Sequence, residues 1–207
     1  HGMVQLVQLS HPGRQCPKGL NRETVAPSAV PFSPALAVSF GTPRELREDE
    51  ILDIIQRFAA SAAICEKAGF EGVQLHGAHG YLISQFLSPL TNKRQDQWGG
   101  SIENRTRFLL EIYKAVRAAT SENFIISVKL NSADFQRGGI TEEDVIYVFK
   151  AIDAVGIDLI EVSGGSYEAP AMAGVKADKR KASTIAREAY FLDFAEKIRQ
   201  EVSCHIM

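Results

Sequence analysis

Short apolar runs alternate along the chain with longer segments of helical period. Val4 to Leu9 is rich in valine and leucine and ends at a proline and a glycine, where a strand would stop. Phe70 to Leu75, Phe124 to Leu130 and Leu159 to Val162 have the same apolar character. Each of these runs is predicted as a buried β-strand, and a fifth strand is predicted to begin at Cys204.

Between the strands, apolar residues recur at spacings of three and four, which predicts four amphipathic helices. The first follows a charged turn from Arg44 to Glu50 and ends at a glycine, position 69. The third is opened by a Thr-x-x-Asp cap at Thr141. The second, third and fourth helices are predicted around Asn104 to Ala119, Thr141 to Val155 and Glu188 to Val202.

Strands that alternate with helices indicate an α/β fold with a parallel sheet buried on both faces. The connections from strand to helix are long, as in the proline-rich segment from Arg14 to Thr42, which favours a TIM (β/α)₈ barrel. A doubly wound sheet is the alternative, but no strand is followed by a G-x-G-x-x-G turn. A barrel typically has eight strands over about 250 residues. The chain is therefore expected to be an incomplete barrel segment of five strands and four helices, truncated at both ends.

Composition narrows the class of partner. The 207 residues are 45% hydrophobic and carry a formal charge of -2, and no block of one sign favours nucleic acid or a membrane. A small molecule is the expected partner. The three cysteines are widely spaced and odd in number, so neither a disulfide framework nor a CxxC metal site is available. A reducing, cytoplasmic compartment is expected.

The candidate chemistry follows the predicted strand at Phe70 to Leu75, where His76, His79 and Tyr81 lie within six residues. This is the end of the strand that forms the catalytic rim of a TIM barrel. Two neutral imidazoles, each donating an Nε2–H, could polarise a carbonyl oxygen, and a phenol could donate a proton to carbon. A metal pair and a purely structural role stay open, although no further metal ligands stand out.

The string from Gly69 to Pro89, continued from Asn92 to Arg105, closely resembles the Old Yellow Enzyme family of NADH:flavin oxidoreductases. Val7 to Arg14 is similar to the glutamine strand of the same family. The resemblance implies noncovalent FMN, NAD(P)H as reductant, and reduction of the C=C bond of α,β-unsaturated carbonyl compounds. It makes His76 and His79 the pair that anchors an enone or phenolic ligand, and Tyr81 the proton donor.

Two further residues are assigned by the same resemblance. Gln8 matches the glutamine that hydrogen-bonds the flavin pyrimidine edge, and Lys129 falls where many relatives carry arginine against the flavin N1/O2 edge. A polar residue bonded within the barrel and a solvated lysine are the respective alternatives. Four residues of the most recognisable string are expected to brace their own loop and to carry no chemistry: Arg94, Asp96, Asn104 and Arg105.

The resemblance also implies how much of the family's domain the chain holds. In the family, residues before the glutamine strand supply the first two strands, and later residues bind the FMN phosphate. Residues 1–207 are therefore expected to be the central portion of a single FMN-binding barrel. The alternative is a non-catalytic barrel segment that self-associates as a homo-oligomer and does not hold FMN. Another FMN barrel, such as a dihydroorotate dehydrogenase, would leave the His-x-x-His-x-Tyr motif unexplained.

Overall fold

The structure is a computed structural model that describes residues 2–169 and 193–207. The strands in these ranges are β1 (Leu6–Leu9), β2 (Val25–Ala26), β3 (Arg44–Glu45), β4 (Gly72–Gly77), β5 (Ile125–Asn131), β6 (Leu159–Ser163) and β7 (His205–Ile206). The helices are α1 (Glu48–Lys67), α2 (Leu82–Leu87), α3 (Ile102–Ala119) and α4 (Glu142–Ala154), with a 3₁₀ turn at Gly13–Gln15 and helical residues at 193–199.

Five strands form one parallel sheet in the order β1-β4-β5-β6-β7. The order follows the chain and never reverses, so right-handed crossovers place successive helices on the same face. A doubly wound sheet would instead reverse its order at a switch point. The sheet therefore winds as a segment of a (β/α)₈ barrel, which confirms the predicted fold class.

The face of the sheet that packs on the helices is apolar. Val73, Leu75, Val128 and Ile160 are fully buried in one core with residues of α1, α3 and α4. The rings of Phe86 on α2 and Phe108 on α3 stack in this core with their centroids 4.1 Å apart. Burying a side chain of this size contributes about 1.5 to 3 kcal/mol, so this face holds the layers together.

The opposite face, which would line the barrel interior, is polar. The sheet was expected to be buried on both faces, and on this face the buried side chains are polar ones, such as Gln74, His76 and Ser127. Because side chains alternate across a strand, residues two apart share a face. Two rows of polar side chains cross the strands in register on this face: Gln8, Gln74 and Ser127 in one row, and His76, Lys129 and Glu161 in the next.

Two short features were not predicted. Residues Arg44 and Glu45 pair with Val25 and Ala26 as β3 and β2, so α1 begins only at Glu48. Helix α2 was missed because all six of its residues are buried, which leaves no amphipathic period to read.

The predicted cap of α4 is confirmed, since Thr141 Oγ1 accepts a hydrogen bond from the Asp144 N–H at 3.1 Å. The helix predicted from Glu188 to Val202 is described only from residue 193, and its earlier residues lie outside the described ranges. Among the described helices, none combines the length and the apolar character that crossing a membrane requires.

Candidate active site

His76 lies on β4 and points into the polar face of the sheet, with 7% of its surface exposed. Its Nδ1 accepts a hydrogen bond from the Ala78 N–H at 3.3 Å. Burial, with smaller contributions from His79 and Lys129, lowers the pKa of His76 to about 4. The ring is therefore neutral near pH 7 with its proton on Nε2, which leaves an N–H donor directed away from the loop.

His79 is held by its backbone as well as its ring. Its φ of 59° lies in the left-handed region, which few non-glycine residues adopt. The N–H donates to Asn131 Oδ1 at 3.1 Å and stabilises this conformation. Nε2 lies 2.6 Å from Ser163 Oγ, so the expected Nε2–H donor toward a ligand is not available. Nδ1 is the ring nitrogen left for a ligand, and burial lowers the pKa of the ring.

Tyr81 completes a compact group of three rings. Its ring centroid lies 4.7 Å from that of His76, and the centroids of the two histidines lie 5.2 Å apart, both pairs meeting edge to face. Tyr81 is the N-cap residue of α2, so the start of the helix fixes its backbone. The three residues predicted from the motif are therefore brought together at the end of β4.

A residue that the sequence reasoning missed stands beside Tyr81. The Tyr167 hydroxyl lies 3.2 Å from the Tyr81 hydroxyl, across 86 positions of sequence. The hydrogen bond with Tyr167, together with partial burial, raises the pKa of Tyr81 to about 12. Tyr81 therefore keeps its proton at neutral pH. The sequence offers one signal for Tyr167, which lies two residues after Gly165 and close to the end of a strand. The loops that follow the strand ends build the active site of a TIM barrel.

Gln8 and Lys129 belong to one hydrogen-bonded chain across the polar face. Gln8 Nε2 donates to Gln74 Oε1 at 2.7 Å, and Gln74 Nε2 donates to Glu161 Oε2 at 2.9 Å. Lys129 Nζ lies 2.9 Å from the other oxygen of Glu161. Lys129 is therefore neither solvated alone nor unpaired, and Gln74 and Glu161 are members of the site that sequence reasoning missed.

The residues expected to brace their own loop do so in part, and Arg94 and Arg105 also bond to other segments of the chain. Arg94 donates to the carbonyl oxygens of Pro27 and Leu46 at 3.1 and 2.6 Å and forms a two-pronged pair with Asp96. Arg105 bonds Asp144 Oδ2 at 2.9 Å and the carbonyl oxygen of Gly100 at 3.2 Å. None of these contacts involves the histidine pair.

The described residues contain no group of three or more histidine, cysteine, aspartate or glutamate side chains placed to hold a metal ion. His76 and His79 instead engage Ala78, Asn131 and Ser163. What the arrangement offers chemically is two neutral imidazoles and a protonated phenol, which can donate hydrogen bonds and one proton.

Comparison with known proteins places this geometry in a family. An NADH-dependent flavin oxidoreductase of Hypocrea jecorina is 40% identical over 212 residues, which cover 96% of this chain and 53% of the relative. An NADPH dehydrogenase of Clostridium acetobutylicum is 44% identical over 166 residues, which cover 80% of this chain and 47% of the relative. The chain thus spans about half the length of these curated relatives.

A solved structure, the old yellow enzyme homologue from Zymomonas mobilis, superposes with a TM-score of 0.74 at 26% identity. It covers 99% of this chain, which corresponds to 56% of that protein. The family described as NADH:flavin oxidoreductase / NADH oxidase matches residues 1–206. The resemblance carried by the histidine and glutamine motifs is thus confirmed, and the chain belongs to the NADH:flavin oxidoreductase / NADH oxidase family, whose cofactors are FMN and NAD(P)H.

Proposed function

We propose that this chain carries the catalytic face of an FMN-dependent oxidoreductase that takes hydride from NAD(P)H and reduces the C=C bond of α,β-unsaturated carbonyl compounds. The observation that carries the proposal is the convergence of His76, His79 and Tyr81 at the end of β4, with the ring centroids 4.7 and 5.2 Å apart. An enone needs two things from a protein, a donor to its oxygen and a proton for one carbon. These three side chains supply both.

The polar face of the sheet fits a flavin. Gln8 is exposed, and its amide oxygen has no hydrogen-bond partner among the described residues. Its amide nitrogen uses one N–H on Gln74, so a second N–H and the oxygen remain for a ring that presents both an acceptor and a donor. Lys129 adds a cation two residues along β5 from Ser127. We propose that Gln8 and Lys129 hold the pyrimidine edge of FMN.

FMN, when bound, supplies the hydride that the alkene receives. Because Glu161 pairs with Lys129, its negative charge offsets the positive charge of the lysine on the polar face. The pair also holds the lysine ammonium on the interior side of β5.

The histidines bind and polarise the carbonyl oxygen of the substrate. Because burial keeps both rings neutral, each can donate without the cost of burying a full charge. His76 donates through Nε2–H, since its Nδ1 accepts from Ala78. His79 donates through Nδ1–H, with Nε2 accepting from the Ser163 hydroxyl. These hydrogen bonds draw electron density toward the carbonyl oxygen. The β-carbon of the enone becomes more electrophilic and can accept the hydride.

The test is made on the full-length protein after reconstitution with FMN. We expect oxidation of NADH or NADPH that depends on 2-cyclohexenone, with cyclohexanone as the matched control that lacks the C=C bond. Cyclohexanone should give no oxidation above the rate with oxygen alone. A protein that binds FMN yet oxidises NAD(P)H at the same rate with both ketones would contradict the proposal.

A further inference from the structure

The turn that follows β6 brings two side chains to the mouth of the site. Residues Ser166 and Ala169 exchange backbone hydrogen bonds of 3.3 and 3.1 Å, and Gln136 Nε2 donates to Ser166 Oγ at 3.2 Å. The turn therefore has a defined conformation, and its two central residues are Tyr167 and Glu168. Neither has a part in the reaction as described so far.

Tyr167 connects Tyr81 with solvent. Its hydroxyl lies 3.2 Å from that of Tyr81, and either oxygen can be the donor. Tyr167 is 47% exposed, and its ring stacks on Phe40 with a centroid separation of 5.9 Å and an interplanar angle of 17°. A substrate held by the histidines would cover Tyr81, whereas the exposed side of Tyr167 would remain in contact with water.

Glu168 anchors the turn from its other side. Its carboxylate forms an ion pair with Arg14, which is only 5% exposed. Arg14 lies over the ring of Phe32 at 4.1 Å, and its backbone N–H donates to Gln85 Oε1 at 3.2 Å. The long loop after β1 and helix α2 thus hold Glu168, and through it the neighbouring Tyr167.

We propose that Tyr167 is a proton-relay residue that acts through Tyr81, and that the Arg14–Glu168 ion pair positions it. The inference rests on the proposed reduction of enones. As the O–H bond of Tyr81 breaks and a C–H bond forms on the substrate, the O–H bond of Tyr167 breaks and a new O–H bond forms on Tyr81. Water then returns a proton to the Tyr167 oxygen, so one proton from solvent balances the one that the substrate gains.

The hydroxyl geometry permits both states of this relay. At rest, Tyr81 donates to Tyr167, which keeps the proton on Tyr81. When the substrate carbon replaces Tyr167 as the acceptor, the hydroxyl of Tyr167 rotates and donates to the Tyr81 oxygen, where negative charge develops. A hydrogen bond to a developing oxyanion is worth more than one to a neutral oxygen.

The experiment is a double-mutant cycle in the FMN-loaded full-length protein, with stopped-flow measurement of reduced flavin reacting with 2-cyclohexenone. Tyr167→Phe should slow this step about 10- to 100-fold, the loss of one hydrogen bond to a charged oxygen. Reduction of the flavin by NAD(P)H should stay at the wild-type rate. The double variant Tyr81→Phe/Tyr167→Phe should be no slower than Tyr81→Phe alone, because Tyr167 has nothing left to act through.

Two further variants complete the test. Glu168→Gln should slow the same step by less than Tyr167→Phe, and this effect should disappear in the Tyr167→Phe background. Tyr147→Phe removes a phenol hydroxyl from α4 and should leave every rate unchanged.

The outcomes separate the two proposals. A wild-type protein whose reduced flavin does not react with the enone overturns the proposed function and the relay with it. A reactive wild type in which the effects of Tyr81→Phe and Tyr167→Phe multiply overturns the relay alone, as does an unchanged rate in Tyr167→Phe.

Discussion

Two segments of the same motif-rich string use their polar side chains in different ways. In the segment from Arg94 to Arg105, guanidinium groups bond backbone carbonyls and carboxylates, both within the segment and on neighbouring elements. In the segment from His76 to Tyr81, each ring is held on one side and left free on the other. In the first segment the polar side chains satisfy backbone carbonyls, and we propose that in the second they bind a ligand.

The difference is not visible in residue type, since both segments are rich in side chains that donate hydrogen bonds. The difference lies in which hydrogen-bond donors remain available to a ligand. His76 keeps Nε2–H, and Tyr81 keeps a proton that its pKa of about 12 protects. Arg94, by contrast, places its guanidinium on Asp96 and two carbonyl oxygens. Three changes should separate chemistry from bracing.

The largest effect is expected for Tyr81→Phe. The ring still packs on His76 while the hydroxyl is lost, so the fold and the reduction of the flavin by NAD(P)H should be nearly unaffected. Enone reduction should slow by about 10² to 10⁴-fold, the range for a positioned acid. Stopped-flow measurement of the two half-reactions separately is the test. Equal slowing of both would mean that Tyr81 positions the cofactor and is not the acid.

Arg94→Met should affect stability and leave the chemistry intact. Methionine keeps much of the aliphatic stem, but the carbonyls of Pro27 and Leu46 lose their donor, at about 1 to 3 kcal/mol each. The free energy of unfolding, measured with urea, should fall by about 2 to 5 kcal/mol. Arg57→Met, at an arginine exposed on α1, is the matched control and should change it little. A lower rate of enone reduction per folded molecule in Arg94→Met would show that the contacts of Arg94 also shape the site.

A smaller effect is expected for acid pH. Burial lowers the pKa of His76 from 6.5 to about 4. Between these pH values His76 is therefore protonated in the unfolded chain and neutral in the folded chain. The contribution of this residue to stability is complete above pH 6.5 and falls as the pH drops toward 4. Between pH 6.5 and pH 5 the loss is about 2 kcal/mol, from about 1.4 kcal/mol per pH unit.

Urea unfolding of wild type and His76→Asn at both pH values measures this loss. The variant should lose less stability than wild type, because asparagine does not titrate. Parallel behaviour of the two proteins would mean that His76 is protonated in the fold already at pH 5, and its role as a neutral donor would fail.

Local sequence was sufficient where the physical cause is local. Apolar runs predicted all five strands of the sheet to within a few residues, and helical period predicted α1, α3 and α4, because each pattern records which side of an element is buried. The Thr141 cap was readable for the same reason. The motif placed His76, His79 and Tyr81 together, since a strand end followed by a tight turn leaves them little room to separate.

Only the tertiary structure decided which distant groups meet. Tyr167 lies 86 positions from Tyr81, and Glu168 lies 154 positions from Arg14, yet each pair is in contact. Lys129 meets Glu161 because β5 and β6 align these residues in register, and a shift of one residue would turn one of the two to the apolar face. Composition and period report how buried each position is. They do not encode the register between strands or the path of a loop, and those two properties determine the partners in this site.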